Sequence, residues 1–259
     1  HIGNNIGGEV NSSYQSSLGT TGLGVELRKE FLASNNLGDR ERFVTQVFFE
    51  HHFSFFDKKL NISPGASWAN YSTNGNFFYP GLDVGYTFYQ NNKVFGSISK
   101  VHRVPTFTDL YYKGPTNVGN DQLEPEKSRY AEGGIRFNKE NIAFNASYFV
   151  RRIDNFIDWV KALQSEPWQP QNFSRITTKG FTLSGDYIIL SPSASLFNNL
   201  RVGLSYTNLN PELEKTLPAA HFSRYALESL RNQLSGTLST DIYNQLSLTL
   251  TTRYCERIN

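Results

Sequence analysis

A chain of 259 residues with 38% apolar side chains is long enough for one large domain or two small ones. Its formal net charge is only +2 with 19% charged residues, which excludes the strong basic field that recruits nucleic acid. The 20 Phe and 14 Tyr, set among many Asn, Ser and Thr, favour strands and turns over helices.

In chain order, the first predicted strand runs downward over 6–16, and an irregular connection follows at 34–41. Leu60, Ile62, Ala66 and Trp68 then alternate with Asn61, Ser63, Gly65 and Ser67, and Leu82, Val84 and Tyr86 alternate with Asp83, Gly85 and Thr87. The same split separates Leu200, Val202 and Leu204 from Arg201, Gly203 and Ser205. It is cleanest at the end, where Leu246, Leu248 and Leu250 oppose Ser247, Thr249 and Thr251. Short turns are expected at 57–59, 90–93, 138–141 and 243–245. Longer or irregular connections are expected at 72–76, 105–127, 162–171 and 210–223, with 190–198 a longer turn than the scheme prefers. Short turns at one rim and long loops at the other mark an outer-membrane barrel. The prediction is an all-β, antiparallel up-and-down transmembrane β-barrel with about twelve strands in sequential order.

No window reaches ~18 consecutive apolar residues and no signal-peptide pattern opens the chain, so no spanning helix is expected. A mean hydropathy of −0.45 suits a barrel, in which lipid-facing and lumen-facing residues alternate. The absence of Met, with His1 in first place, suggests a processed product or an excised fragment. A first strand running downward, and an end at Arg257, Ile258 and Asn259 without an aromatic closing strand, point to the middle of a larger barrel.

The most specific stretch joins His102, Arg103, Val104 and Pro105 to Leu110, Tyr111 and Tyr112, then Gly119, Asn120, Leu123, Pro125, Glu126 and Ser128. It resembles the signature of the TonB-dependent outer-membrane receptors, with His102 where that family usually has Phe. The stretches at 148–159 and 172–181, with Gly7, Gly8 and Glu9, are similar to other strands of the family, so the resemblance covers nearly the whole chain. Its flavour is closest to the cobalamin-receptor-like barrels of gut anaerobes. The resemblance implies a barrel of about 22 strands, of which residues 1–259 are a part without plug domain or closing strands. It also implies active import of a scarce nutrient, cobalamin-like or an iron chelate, across the bacterial outer membrane. The implied partners are outer-membrane lipid, TonB, the plug, the small ligand and a surface lipoprotein.

Physical chemistry gives the signature a structural task. Pro105 and Pro125 cannot donate to a ladder, so they set the two ends of one long loop. Arg103, Glu124, Glu126 and Lys127 are expected to pin that loop by ion pairs. Tyr111 and Tyr112 in this loop, and Trp168 in the next long connection, are candidates for ligand contact. Trp68, Tyr71, Phe77, Phe78, Tyr79, Tyr148 and Trp159 fall near strand ends and read as interfacial girdles. Adjacent strand residues point to opposite faces, so His51 and His52 cannot share a metal. The pair Asp154 and Asp158 reads as solvated strand-end charge. No metal site, cofactor or nucleophilic constellation is expected, hence no enzyme. A passive porin or adhesin barrel and a secreted glycan-binding β-protein are the alternatives.

Overall fold

The computed structural model describes residues 2–89, 91–189, 197–215, 222–224, 230–242 and 246–257. Six long antiparallel strands open the chain: β1 (Ile2–Ser16), β2 (Gly19–Ala33), β3 (Arg40–Phe55), β4 (Leu60–Tyr71), β5 (Gly75–Tyr89) and β6 (Asn92–Arg103). A short helix, α1 (Phe107–Tyr111), interrupts the following loop. The sheet resumes with β7 (Glu126–Lys139), β8 (Ile142–Lys161), β9 (Gln169–Ile189), β10 (Phe197–Lys215), the two-residue β11 (Phe222–Ser223), β12 (Leu230–Ile242) and β13 (Leu246–Arg257). All belong to one sheet in sequential order, except that β11 leaves the path and pairs with β8.

Directly opposed residues of antiparallel strands share a face, so the registers trace each face across the sheet. Val10, Val25, Val47, Trp68 and Phe78 form one apolar row over β1–β5. Tyr187, Val202, Leu238 and Leu250 form another over β9, β10, β12 and β13. The opposite face carries Asp83, Ser97, Glu132, Phe149 and Gly180 in register. A β-sandwich would cover the apolar rows with a second sheet. Here they stay open, with Phe78 56% and Leu250 63% exposed. A sheet with one wet face and one bare apolar face is stable when lipid covers the latter. On β8 that face is apolar from Ile142 through Phe144 and Tyr148 to Val150, a run of roughly 27 Å along the strand at ~3.4 Å per residue. At the ~35–45° tilt of barrel strands the run spans roughly 20 Å of height, most of an apolar band about 25 Å tall.

Three phenylalanines on the wet face lie flat on glycines directly opposite. Phe48 covers Gly24, Phe95 covers Gly134 and Phe149 covers Gly180. A Cβ on Gly134 would stand 2.6 Å from the Phe95 ring, and one on Gly180 would stand 2.7 Å from that of Phe149. Each ring occupies the volume that a side chain on the neighbouring strand would need.

With no second layer, the buried core sits at one end of the sheet. Val44, Leu110, Leu123, Ile157, Val160 and Phe173 are buried where long loops fold over the strand ends. The opposite end has tight connections, with positive φ at Phe56, Asp57, Lys58 and Glu140. The alternation of connection lengths therefore holds, with two corrections. The connection expected at 72–76 is itself short, since β4 ends at Tyr71 and β5 begins at Gly75, whose φ of +84° makes the turn. The one expected to start at residue 210 starts later, because β10 continues through Lys215. The turn at 243–245, and 190–196 of the longer turn, lie outside the described residues.

The aromatic girdle also needs correction. Trp68, Phe78 and Tyr148 are on the apolar face and exposed. Tyr71, Phe77 and Tyr79 sit on the other, with Phe77 packed edge-on against Tyr71 at 5.7 Å. Trp159 is buried under the loops. His51 lies by Phe53 and Thr21 while His52 bonds Ser63, on opposite faces as expected.

Candidate functional site

The signature stretch builds the loop-covered end of the sheet. Pro105 is fully buried and ends β6; Thr106 then caps α1. The Thr106 hydroxyl accepts from Asp109 N at 3.1 Å, while Asp109 Oδ2 accepts from Thr106 N at 3.1 Å. This reciprocal capping box turns the chain inward immediately after the strand.

Arg103 and Glu126 are opposed across β6 and β7 and form a bidentate pair, Nε to Oε2 at 2.8 Å and Nη2 to Oε1 at 2.6 Å. Oε1 also accepts from Ile157 N at 2.9 Å, and Arg103 Nη1 lies 3.7 Å from Asp109 Oδ2. Asp109 in turn accepts from the Trp159 indole N–H at 3.2 Å. The network thus locks α1 to β6, β7 and β8. Leu110, Leu123 and Ile157 form the apolar cluster beneath, with Tyr111 against it. Gly119 passes so close to α1 that a Cβ would stand 2.7 Å from the backbone N of Tyr111 and Tyr112. Asn120 donates to Pro170 O at 3.1 Å, and Arg151 Nε donates to the buried Ser128 hydroxyl at 3.2 Å. Pro125 stands between two loop anchors, Glu124 and Glu126. Of the expected ion-pair set, Arg103 and Glu126 pair with each other. Glu124 is instead bonded to Asn155 and, through its backbone, to Asn172, and Lys127 has no salt bridge among the described residues.

The ligand candidates lie on this platform. Tyr111 carries the Arg40 guanidinium 3.8 Å above its ring centre. The Tyr112 hydroxyl accepts from Asn36 at 3.4 Å, and Lys113 N bonds Asn36 O at 2.8 Å, which joins the β2–β3 connection to the signature loop. Trp168 exchanges backbone hydrogen bonds with Thr116 and Val118 and lies between Lys161 Nζ, 4.9 Å from its ring, and Arg224, at 5.5 Å. Three connections therefore meet in one cap bearing cation-flanked aromatic rings. Composition and spacing missed Arg40 and Arg224, whose partners are distant in sequence, and Lys161, which the chain folds back onto Trp168 seven residues later. The capping box is different: Thr106 three residues before Asp109 is a readable local pattern.

His102 packs its ring 5.0 Å from Phe77 and 5.6 Å from Tyr79, the contacts an aromatic residue would make there. Asp158 is fully buried with Ser223 as a partner, which corrects its reading as solvated charge, and Asp154 is paired with Arg152 and Arg175. Among the described residues, no group of three or more His, Cys, Asp and Glu could hold a metal ion.

Residues 2–257 match the family described as TonB dependent receptor-like, beta-barrel. The chain belongs to that family. TonB-dependent receptors are outer-membrane β-barrels, and their family is one of transporters and receptors. Among curated proteins the chain is similar to the vitamin B12 transporter BtuB of Vibrio vulnificus, with 32% identity over 81 residues, 31% of this chain and 13% of that one. Among solved structures it is similar to the FrpB iron transporter from Neisseria meningitidis, with TM-score 0.75 at 13% identity over 99% of this chain and 43% of that one. The siderophore receptor PirA from Acinetobacter baumannii has TM-score 0.72 at 15% identity over 97% of this chain and 42% of that one. The chain spans less than half the length of these relatives.

Proposed function

We propose that this chain forms part of the wall of an outer-membrane receptor that imports a small scarce nutrient, cobalamin-like or an iron chelate, driven through TonB. Residues 1–259 supply barrel strands and outer loops, while the plug domain and the remaining wall strands come from sequence outside them. The observation that carries this reading is the family match across residues 2–257, on a sheet with an open apolar band and a braced cap of loops. Tyr111, Tyr112 and Trp168 are the ligand-contacting residues in this reading. Flat rings beside Arg40, Lys161 and Arg224 suit a ligand with anionic or oxygen-rich groups. The task is capture and release without bond making, so the protein is no enzyme. A surface lipoprotein is a further partner for the cap.

Uptake by whole cells tests the reading. The full-length protein should support uptake of labelled cobalamin or a ferric siderophore that stops when an uncoupler collapses the proton-motive force. Uptake that ignores the uncoupler would assign the protein to passive pores instead.

A further inference from the structure

Among the described residues Arg42 is the one buried cation, 5% exposed on the inner face of β3. Its Nη2 donates to Pro105 O and its Nε to the Thr73 hydroxyl, each at 2.9 Å, and Nη1 lies 3.9 Å from Glu30 Oε2. Pro105 follows β6, three strands along the sheet, so the guanidinium and the signature loop meet across a gap of about 14 Å between strand axes. Arg40 stands two residues earlier on the same face of β3. The rings that these arginines meet are four residues apart on α1. The Arg42 guanidinium carbon is 4.8 Å from the Phe107 ring centre, and that of Arg40 is 3.8 Å from the Tyr111 ring centre. Two residues of strand span about 6.8 Å, and four residues of helix rise about 6 Å. The two ring centres are 6.4 Å apart, with their planes inclined by 29°. The period of the strand thus matches that of the helix, and β3 grips α1 at two points. A helix of five residues has no stability of its own, so such contacts decide where it points.

The two grips differ in what they leave free. Arg42 is enclosed, with its donors aimed at the loop, the β4–β5 connection and Glu30. Arg40 is half-buried and donates through Nε to Leu37 O at 2.9 Å, and its two terminal amines have no acceptor among the described residues. Those amines form a fork that suits a carboxylate or a similar oxyanion. We propose that Arg40, lying on Tyr111, binds an oxyanion group of the ligand, and that Arg42 is the positioning residue that holds α1 so that this pair is assembled before the ligand arrives. Preorganisation of this kind lowers the ordering cost of capture. The inference rests on the uptake reading above and adds to it the ligand's anchoring group and the residue that sets the anchor.

The full-length receptor is compared as wild type, R42K, F107L, R40Q and R40Q/R42K. R42K keeps the charge but loses the planar fork that reaches Pro105 and Thr73 together; F107L removes the ring without disturbing a buried charge, and carries the test if R42K fails to fold. Heat-modifiable gel mobility reports folding, and hydroxyl-radical footprinting of the ligand-free receptor in nanodiscs reports the cover on Tyr111. R42K and F107L should fold and show severalfold faster oxidation of Tyr111. In whole-cell uptake of labelled cyanocobalamin and of a labelled ferric catecholate, each single variant should raise the half-saturating concentration of the imported probe about tenfold while the maximal rate is kept. R40Q/R42K should match R40Q at about tenfold rather than reach about a hundredfold, because Arg42 acts through Tyr111 and Arg40. A folded R42K or F107L with Tyr111 still protected, or effects that multiply in the double variant, would overturn the assignment. So would a lowered maximal rate at unchanged half-saturation, the mark of a merely structural residue. If neither probe is imported, the uptake reading fails by itself, and the footprint still decides the clamp.

Discussion

Glu126 is the residue on which most of the outer cap depends, because one buried carboxylate serves the Arg103 guanidinium and the backbone of β8 at once. Removing the arginine leaves that carboxylate buried with a single donor, and desolvated charge without its partner is costly. Arg103 is itself 47% exposed, so water softens the loss. Arg103→Gln is expected to cost about 1–3 kcal/mol in a folding titration, and limited proteolysis should show faster cleavage in the loop after Pro105. At this scale the sequence was legible where the determinant is local. The two prolines were read as loop ends, and Arg103 and Glu126 were read as members of an ion-pair set with Glu124 and Lys127; the capping pair Thr106 and Asp109 lies in the same stretch as a local pattern that was not read. Trp159 was not legible. Its contact with Asp109 joins residues 50 apart, and its period-two pattern is that of any strand-end aromatic.

Strands are where alternation is a reliable guide, since the side-chain period of two belongs to the backbone and needs no knowledge of the neighbours. Leu204 and Ser205 lie side by side on β10, on the apolar and polar faces. Leu204→Arg is expected to cost about 2–4 kcal/mol if its depth is near the middle of the bilayer, and Ser205→Arg much less. Equal costs in a folding titration from urea into lipid would mean that the faces have been exchanged. What alternation cannot supply is where a face stops being lipid-exposed. Tyr71, Phe77 and Tyr79 are aromatic residues near a strand end, as an interfacial belt requires, but register places them inside. The β4–β5 connection was likewise placed among the longer or irregular ones, whereas a glycine of positive φ closes it within a few residues.

For the whole molecule, the question is how the sheet ends. The described path begins at β1 and finishes at β13, each pairing along one edge only among the described residues. Unpaired backbone in hydrocarbon costs several kcal/mol per group, so both edges require neighbours. The isolated 259-residue chain reconstituted in lipid is therefore expected to give no compact, heat-modifiable species and no ligand uptake; either result obtained from that chain alone would mean that it closes on itself. Sheet order was legible because up-and-down strands joined by tight turns leave a chain few other ways to pair. The meeting of three loops was not, being a matter of distances between segments far apart in sequence. One detail of the wall bears on how such a sheet is put together. Phe48, Phe95 and Phe149 each require a glycine at one position of the adjoining strand. A slip of two residues preserves the faces, and so passes every test of hydrophobicity. It would nevertheless set Phe95 against Glu132 or Arg136, and Phe149 against Thr178 or Thr182. The rings are alignment marks: β6 with β7, and β8 with β9, close fully in a single register, and a misthreaded hairpin is left ajar until it slides home.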